Sequence, residues 1–407
     1  MAHRRIFHID LDAFFVAVER TLDPSLEGIP VAVGGEAGSR GVVACASYEA
    51  RTYGLHAGMP LKTAQRLCPH AIYLSAKYAH YLEVSRRFHA ILGEYTPWVE
   101  PLGMDEAYMD MTGFESLYGA PSEVAHTIKE RVRRELRVTA SVGIASAKVT
   151  AKVASDYDKP DGLVEVPPGQ DAAFLAPLPV REVPGIGERV EGALKQRLGI
   201  AMVAELAAVD PLTLRRIFGV YGDQFHRWAT GEGEDSVASE LAAAKSISRS
   251  TTFAEDSRDR GFILSTLRYL GERVAAALRR EEKRAGCVTA TVRYADFHTI
   301  SRSRRVKQPV ESDEAIFRLG TSLLEEPLKD SRAVRLVGIG VSELVSGGQL
   351  PLMADEPERK ESLADALDAV RRKYGYTALQ TGRTFQLRDA FPSDERGYIL
   401  KTPSLSR

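Results

Sequence analysis

Arg5-Ile6-Phe7-His8-Ile9-Asp10-Leu11-Asp12 runs from apolar residues straight into acid, and its reading decides the fold. Ile and Phe at this density favour a short buried strand. Side chains alternate along a strand, so Asp10 and Asp12 share one face and Leu11 takes the other. Far downstream, Met104-Asp105-Glu106-Ala107-Tyr108 sets a second acidic pair beside residues that also read as strand. Neighbours on a regular strand point apart, so Asp105 and Glu106 aim at one centre only near a turn, for which Gly103 supplies backbone freedom. Clustered carboxylates repel unless a cation or protons compensate. Hard oxygen donors without accompanying His or Cys favour magnesium or manganese over zinc. Acid at one strand end is ordinarily a solvated turn residue, but two such ends together look like a divalent-metal site, a reading the surrounding sequence must decide.

Around this sheet the chain alternates between the two periodicities. Residues 27–35 read as an apolar strand stopped by glycines, 41–46 as another strand, and 48–68 as short helices broken at Gly54 and Gly58. Residues 78–95 have a helical pattern, with Tyr78, Leu82, Phe88, Ile91 and Leu92 as the apolar stripe. A hairpin at Asp105 follows, then a basic amphipathic helix over 123–136, a strand over 138–145 and a helix through Lys148 and Lys152. Strands and helices intermixed in this way predict an α+β architecture. Pro167-Pro168-Gly169 marks the next boundary. Beyond it, Val183-Pro184-Gly185-Ile186-Gly187 before a helix reads equally as a simple helix-helix turn or as a helix-hairpin-helix, whose glycine turn presents backbone N–H groups to a phosphate without reading a base. Residues 245–249 and 289–294 read as strands and 264–284 as a helix. Within 299–307, polar and basic residues alternate at strand period, which puts Arg302 and Arg304 on one face.

At 407 residues the chain is too long for one compact core and suggests three or four units. No apolar run approaches the ~20 residues that a membrane span requires. The amino terminus has too few apolar residues before Asp10 for a signal peptide. Cys45, Cys68 and Cys287 are odd in number and widely spaced, as expected of plain thiols in a reducing cytoplasm. The net charge of -1 conceals an asymmetry: residues 245–307 hold fifteen Lys and Arg against seven Asp and Glu, which leaves the rest of the chain at -9. Basic charge is concentrated where a phosphate backbone could lie.

The ordered motifs Asp10-Leu11-Asp12-Ala13-Phe14-Phe15-Val16-Ala17-Val18-Glu19, Ser47-Tyr48-Glu49-Ala50-Arg51, Met104-Asp105-Glu106-Ala107-Tyr108-Met109-Asp110, Ser141-Val142-Gly143-Ile144 with Lys148 and Lys152, and Lys159-Pro160-Asp161-Gly162 resemble the signature of the Y-family DNA polymerases, in the DinB or polymerase IV branch. The resemblance runs from Arg5 to about residue 382. It implies a right-hand polymerase: a palm from residues 1–13 and 75–168, small fingers from 14–74, a helix-hairpin-helix thumb over 169–233, a linker at 234–244, an α/β little finger over 245–345, and a clamp-binding peptide, helix and tail over 346–407. The implied activity is low-fidelity, template-directed addition of deoxynucleotides to a primer 3' end, with bypass of damaged bases.

Site residues follow from the same resemblance. Asp10, Asp105, Glu106 and the Leu11 carbonyl would hold two magnesium ions, with manganese able to substitute, and Asp105 and Glu106 are the catalytic pair. Phe14, Phe15, Tyr48, Arg51 and Lys159 would contact the nucleotide, with Phe15 as the steric gate against a 2'-hydroxyl. Asp12 is not expected among the ligands. Val42, Ala44 and Gly58 would roof the nascent pair, their small size leaving it loosely enclosed. Lys148, Lys152, Gly185, Gly187, Lys245, Arg249, Arg293, Arg302 and Arg304 would meet DNA. Gln349, Leu350, Leu352 and Met353 resemble a sliding-clamp-binding peptide, with Met where an aromatic commonly ends that motif. A cytoplasmic monomer without membrane attachment, acting on primer-template DNA and deoxynucleoside triphosphates, is the expectation. The chain departs from the family at Gly103-Met104, where Ser-Ile usually stands, at Ser146-Ala147, where Pro-Asn does, and at Ser250, often Glu. The alternative is a noncatalytic Y-family adaptor that binds DNA and clamp, although such proteins usually lose the acids retained here.

Overall fold

The computed structural model describes residues 3–233, 236–239, 243–346 and 357–400. The chain divides into two units, residues 1–38 with 42–241, and residues 39–41 with 242–407.

In the first unit, β1 (Ile6–Leu11) lies at the centre of a five-stranded sheet of order β5-β6-β1-β7-β8. The chain leaves β1 through Ala13, whose left-handed backbone (φ 43°) starts α1 (Phe14–Leu22). A three-stranded sheet of order β3-β2-β4 follows, from β2 (Val31–Val33), β3 (Cys45–Ala46) and β4 (Ile72–Leu74). It carries the short helices α2 (Tyr48–Arg51) and α3 (Leu61–Leu67). The strand expected over 41–46 is thus only its last two residues, because Val42 and Val43 turn to pair with Pro60 and Met59 instead. The chain returns through α4 (Tyr78–Gly93) to β5 (Val99–Pro101) and β6 (Glu106–Asp110). After α5 (Glu115–Tyr118) and α6 (Pro121–Leu136) come β7 (Ala140–Ala145), α7 (Lys148–Tyr157) and β8 (Leu163–Glu165).

One face of the large sheet buries Phe7, Ile9 and Leu11 with Phe88, Ile128 and Val132 from α4 and α6. On α4 the expected stripe is displaced: Leu82 is exposed, whereas Tyr81, one position earlier, is fully buried. The buried set Tyr81, Ser85, Phe88 and Leu92 keeps the helical spacing and includes a serine that hydrophobicity alone would leave out. The opposite face is covered by α7, with Ile6, Ala145, Ala151 and Ala154 in one cluster. α7 approaches so closely that a Cβ on Gly143 would lie 2.0 Å from the Ala151 carbonyl oxygen. Beyond β8, α8 (Asp171–Leu175), α9 (Glu188–Leu198), α10 (Val203–Ala207), α11 (Pro211–Phe218) and α12 (Val220–Ala229) enclose a small core that includes Leu194, Leu206, Leu214 and Phe225.

The second unit has a four-stranded antiparallel sheet of order β11-β10-β12-β9. Its strands are β9 (Ser246–Ser257), β10 (Lys283–Tyr294), β11 (Thr299–Val310) and β12 (Val334–Ser346). α13 (Arg260–Arg280) and α14 (Asp313–Leu324) pack on one face. The helix expected to reach 284 stops at Arg280, and Lys283 and Arg284 already belong to β10. The C-terminal α15 (Pro357–Tyr374) is fixed by ion pairs, with Arg371 reaching the buried Glu272 at 2.8 Å and Arg279 gripping Asp368 at 2.7 and 2.9 Å. After α16 (Gly382–Phe385), β13 (Ser393–Asp394) and β14 (Gly397–Tyr398) form a hairpin. The last fifteen or so residues carry Pro, Ser and charge without periodicity and read as disordered from sequence, but Tyr398 among them is buried and its N–H donates to the Tyr269 hydroxyl at 2.9 Å. Tyr398 joins Leu387 and Phe391 in the same core as Tyr269, and its hydroxyl accepts from Gln380 Nε2 at 2.6 Å.

Among the described residues no helix is long and apolar enough to cross a membrane, and the three cysteines are free thiols. Gly143→Ala is expected to destabilise the first unit by about 3 kcal/mol, the upper end for overpacking, read as a lowered midpoint of urea unfolding. A midpoint equal to wild type would mean that α7 has room to retreat.

Candidate active site

Pairing places the acids. Asp10 stands opposite Glu106 on β6 and Ser141 on β7, and cross-strand partners share a face. Asp105 lies in the turn before β6, tied to β1 by the Leu11 N–H donating to its carbonyl at 2.8 Å. Gly103 has no left-handed backbone; its contribution is space, since a Cβ there would sit 3.3 Å from Asp105 Oδ1. Asp10, Leu11, Asp105 and Glu106 are therefore brought together.

Lysines neutralise these acids. Lys159 Nζ donates to Asp10 Oδ1 at 2.7 Å and to Asp156 Oδ1 at 2.6 Å. Lys152 Nζ pairs with Glu106, whose Oε2 lies 3.1 Å from His8 Nε2. Burial pushes Asp10 up to about 7 in spite of Lys159, with Asp105 adding to the rise. Asp105 is also raised, by burial and then by Glu106. Burial would raise Glu106 too, but hydrogen bonds from His8 and Lys152 hold it at about 2. His8 is lowered by burial and so stays neutral. Among the described residues no three His, Cys, Asp or Glu side chains converge tightly enough, as they lie, to enclose a metal ion. The donor chemistry nonetheless fits a hard divalent cation: the donors are all oxygen, and burial makes two of the carboxyls reluctant to ionise without one.

Asp12 has a different setting. It is almost wholly buried, and its oxygens accept from Ser141 Oγ at 2.7 Å, Thr139 Oγ1 at 2.8 Å and the Asp161 N–H at 2.8 Å. The 159–162 turn is thereby latched to the sheet. Lys129 secures its other side, with Nζ donating to the carbonyls of Asp161 at 2.5 Å and Gly162 at 2.9 Å. Sequence reasoning overlooked Lys129, Thr139 and Ser141. A lysine inside a basic amphipathic helix looks like surface charge, and only its burial reveals the role.

Around the acids, Phe14 is buried in the core while Phe15 is half-exposed. Tyr48 O–H reaches Asp12 Oδ1 at 3.4 Å, and the Arg51 guanidinium lies 4.5 Å from the Tyr48 ring centre. Val42, Ala44 and Gly58 come together, because the Gly58 N–H donates to the Val43 carbonyl at 2.8 Å. Lys148 and Lys152, expected on DNA, turn inward: Lys148 donates to Glu100 Oε2 at 2.5 Å. Gly185 has φ +90°, and a Cβ there would meet Trp228 at 3.0 Å, while Gly187 caps α9.

In the second unit the sheet has two unlike faces. Arg302 and Arg304 share one, as alternation required, but they pair with Ala290 and Val288, which face the helices. Arg249 lies on that face too, half-buried, with burial and then Arg273 lowering it to about 10. Thr289, Thr291, Arg293, Ser301 and Ser303 lie on the open face, beside Gly338, Gly340, Ser248 and Ser250. Lys245 is exposed just before β9. Gln349, Leu350, Leu352 and Met353 lie outside the described residues.

Comparison with known proteins agrees with this geometry. Residues 9–156 match the impB/mucB/samB family, 172–200 the helix-hairpin-helix motif of that family and 244–352 its C-terminal domain. The DNA polymerase IV of Dehalococcoides mccartyi (strain ATCC BAA-2266 / KCTC 15142 / 195) is 45% identical over 96% of this chain and 100% of its own length. The chain belongs to the Y-family, in its DNA polymerase IV branch. It is a translesion DNA polymerase, and such an enzyme requires a divalent metal. DNA polymerase IV of Methanoculleus marisnigri (strain ATCC 35101 / DSM 1498 / JR1) is 40% identical over 87% of this chain and 98% of its own. A solved Y-family DNA polymerase chimera, Dbh-Dpo4(243-245)-Dbh, superposes with a TM-score of 0.75 at 28% identity, covering 84% of this chain and 99% of its own. An insertion ternary complex of Dbh DNA polymerase gives 0.59 with the same identity and coverage. The adaptor alternative is not favoured, since these relatives are polymerases. Residues 357–400 lie outside all three matched segments.

Lys129→Met removes the donor to the Asp161 carbonyl and one of two donors to the Gly162 carbonyl, which keeps the Val142 N–H at 3.1 Å, and about 1 kcal/mol of lost stability is expected. Because the same turn carries Lys159, single-nucleotide insertion should weaken mainly through KM for the incoming nucleotide. Unchanged KM in a destabilised variant would show that the turn keeps its place without Lys129.

Proposed function

We propose that this polymerase adds deoxynucleotides through two magnesium ions held by Asp10, Asp105, Glu106 and the Leu11 carbonyl. Manganese would substitute at the same oxygen donors. The observation that carries the reading is the Asp10–Glu106 pair across β1 and β6, with Asp105 in the adjoining turn. When bound, such ions favour ionisation of the primer 3'-hydroxyl and stabilise charge on the departing pyrophosphate. The protein's own groups orient the reactants. Lys159, already within 2.7 Å of Asp10, offers a fixed cation to the triphosphate, and Arg51 and the Tyr48 hydroxyl offer further donors. Phe14 anchors the start of α1 in the core, so the neighbouring backbone and Phe15 are presented rigidly to the nucleotide. Phe15 is the wall that a 2'-hydroxyl would strike.

Val42, Ala44 and Gly58 leave the nascent pair loosely enclosed, which suits distorted templates and lowers fidelity. Gly185 and Gly187 suit a phosphate at the start of α9. In the second unit, the Ser, Thr and Gly side of the sheet permits close backbone approach, and Arg293 and Lys245 supply charge. Arg302, Arg304 and Arg249 would act from the helix side or the edge. Gln349, Leu350, Leu352 and Met353 would engage a sliding clamp. A monomer working in the cytoplasm completes the reading.

Primer extension with magnesium and single deoxynucleotides tests it. Asp105→Ala should abolish template-directed extension while primer-template affinity stays within a few-fold; extension by that variant would remove the acids from the chemistry. Phe15→Ala should raise ribonucleotide incorporation, and equal sugar discrimination before and after the substitution would overturn the gate.

A further inference from the structure

Phe15 belongs to an aromatic stack that reaches into the core. Its ring lies against Tyr81 with centroids 4.5 Å apart and planes inclined by 14°. Tyr78 meets it edge-on at 5.9 Å, and Phe14 lies at 5.5 Å. Tyr81 is fully buried, and its hydroxyl donates to Glu19 Oε1 at 2.6 Å. Glu19 is 1% exposed and follows Phe15 by one turn of α1, so the two share a helix face. Its other oxygen accepts from Lys77 Nζ at 2.7 Å.

A buried carboxylate is costly unless it is hydrogen-bonded and paired. Lys77 pairs with one Glu19 oxygen and the Tyr81 hydroxyl satisfies the other, so the bond that completes the acid also fixes the ring. Tyr81 covers one face of Phe15, and the ring stays partly exposed, within reach of a substrate. A steric wall discriminates only as well as it resists being pushed. Without backing, Phe15 on the first turn of a helix could tilt into the space behind it and admit the larger sugar.

We propose that Tyr81, anchored by Glu19 and Lys77, is a positioning residue for sugar selection that stops Phe15 from yielding to a 2'-hydroxyl. The proposal rests on Phe15 being the gate. It gives the buried Glu19, which the catalytic reading does not use, a function: it ties the helix carrying the gate to the ring that supports it.

The test is the ratio of kcat/KM for a deoxynucleotide to that for the matching ribonucleotide, measured on the full chain. The ratio is taken within one preparation, so a smaller folded fraction cannot change it. Phe15→Ala should lower the ratio by about 100-fold and Tyr81→Leu by about 10-fold, in the range that pocket contacts command. Tyr81→Phe, which keeps the ring and loses the anchor, should fall between Tyr81→Leu and wild type, and it decides the matter if the leucine variant does not fold. The double variant Phe15→Ala/Tyr81→Leu should discriminate no worse than Phe15→Ala alone, because a support without a gate does nothing. Wild-type ratios in the folded Tyr81 variants, with Phe15→Ala collapsing the ratio, would overturn the role of Tyr81. An unchanged ratio in Phe15→Ala would overturn the gate itself, and the support with it.

Discussion

The register of β1 against β6 and β7 is the constraint on which the rest of the active site depends. It sets Asp10 opposite Glu106 and Ser141, and His8 opposite Tyr108 and Gly143. A slip of one residue would exchange the two faces and carry Asp10 into the apolar side. Phe7, Ile9 and Leu11 prevent it by filling a core with α4 and α6. The other face is held by α7, whose approach the absence of a side chain at Gly143 allows. That approach delivers Lys152 to Glu106 and Ser155 to His8 at 2.7 Å. Packing and chemistry are thus two consequences of one strand pairing.

The acidic pairs are not equivalent within this frame. Glu106 has both a lysine and a histidine and remains ionised, whereas burial raises Asp10 and Asp105. Two acids in Asp10-Leu11-Asp12 also divide their duties. Asp10 faces the other carboxylates, while Asp12 joins Thr139, Ser141 and Asp161 and fixes the turn that carries Lys159. The first acid joins the carboxylate cluster, and the second holds the turn whose lysine pairs with it.

Most of this was legible in the sequence because it depends on short-range order. The apolar run before Asp10, the glycine-broken segment after Tyr48 and the helix over 121–136 each express a local periodicity. The supports were harder to see. Lys129 and Glu19 are charged residues on helices, and their burial follows from partners distant in the chain. Leu82 is the more hydrophobic of two neighbours, so a hydrophobic pattern favours it, whereas Tyr81 is the one that turns inward, its hydroxyl satisfied by Glu19. The hairpin around Tyr398 is held by Tyr269, Tyr376, Gln380 and Phe391 and left no periodic pattern to read.

The sheet of the second unit shows the same limit in its sharpest form. Alternation correctly pairs Arg302 with Arg304, because period two is a property of the strand itself. It cannot say which face is covered, since that is decided by where α13 and α14 land. β11 is an edge strand whose inner face mixes Arg302 and Arg304 with the partly buried Ile300 and Val310, so its own pattern is weak. On β10 and β12 the answer is plain, with Val288, Ala290, Val292, Val337 and Ile339 buried on one side and Thr and Gly on the other. A central strand declares its inner face through its own hydrophobicity. An edge strand inherits that information from its neighbour, so the register between them is what turns a sequence pattern into a surface.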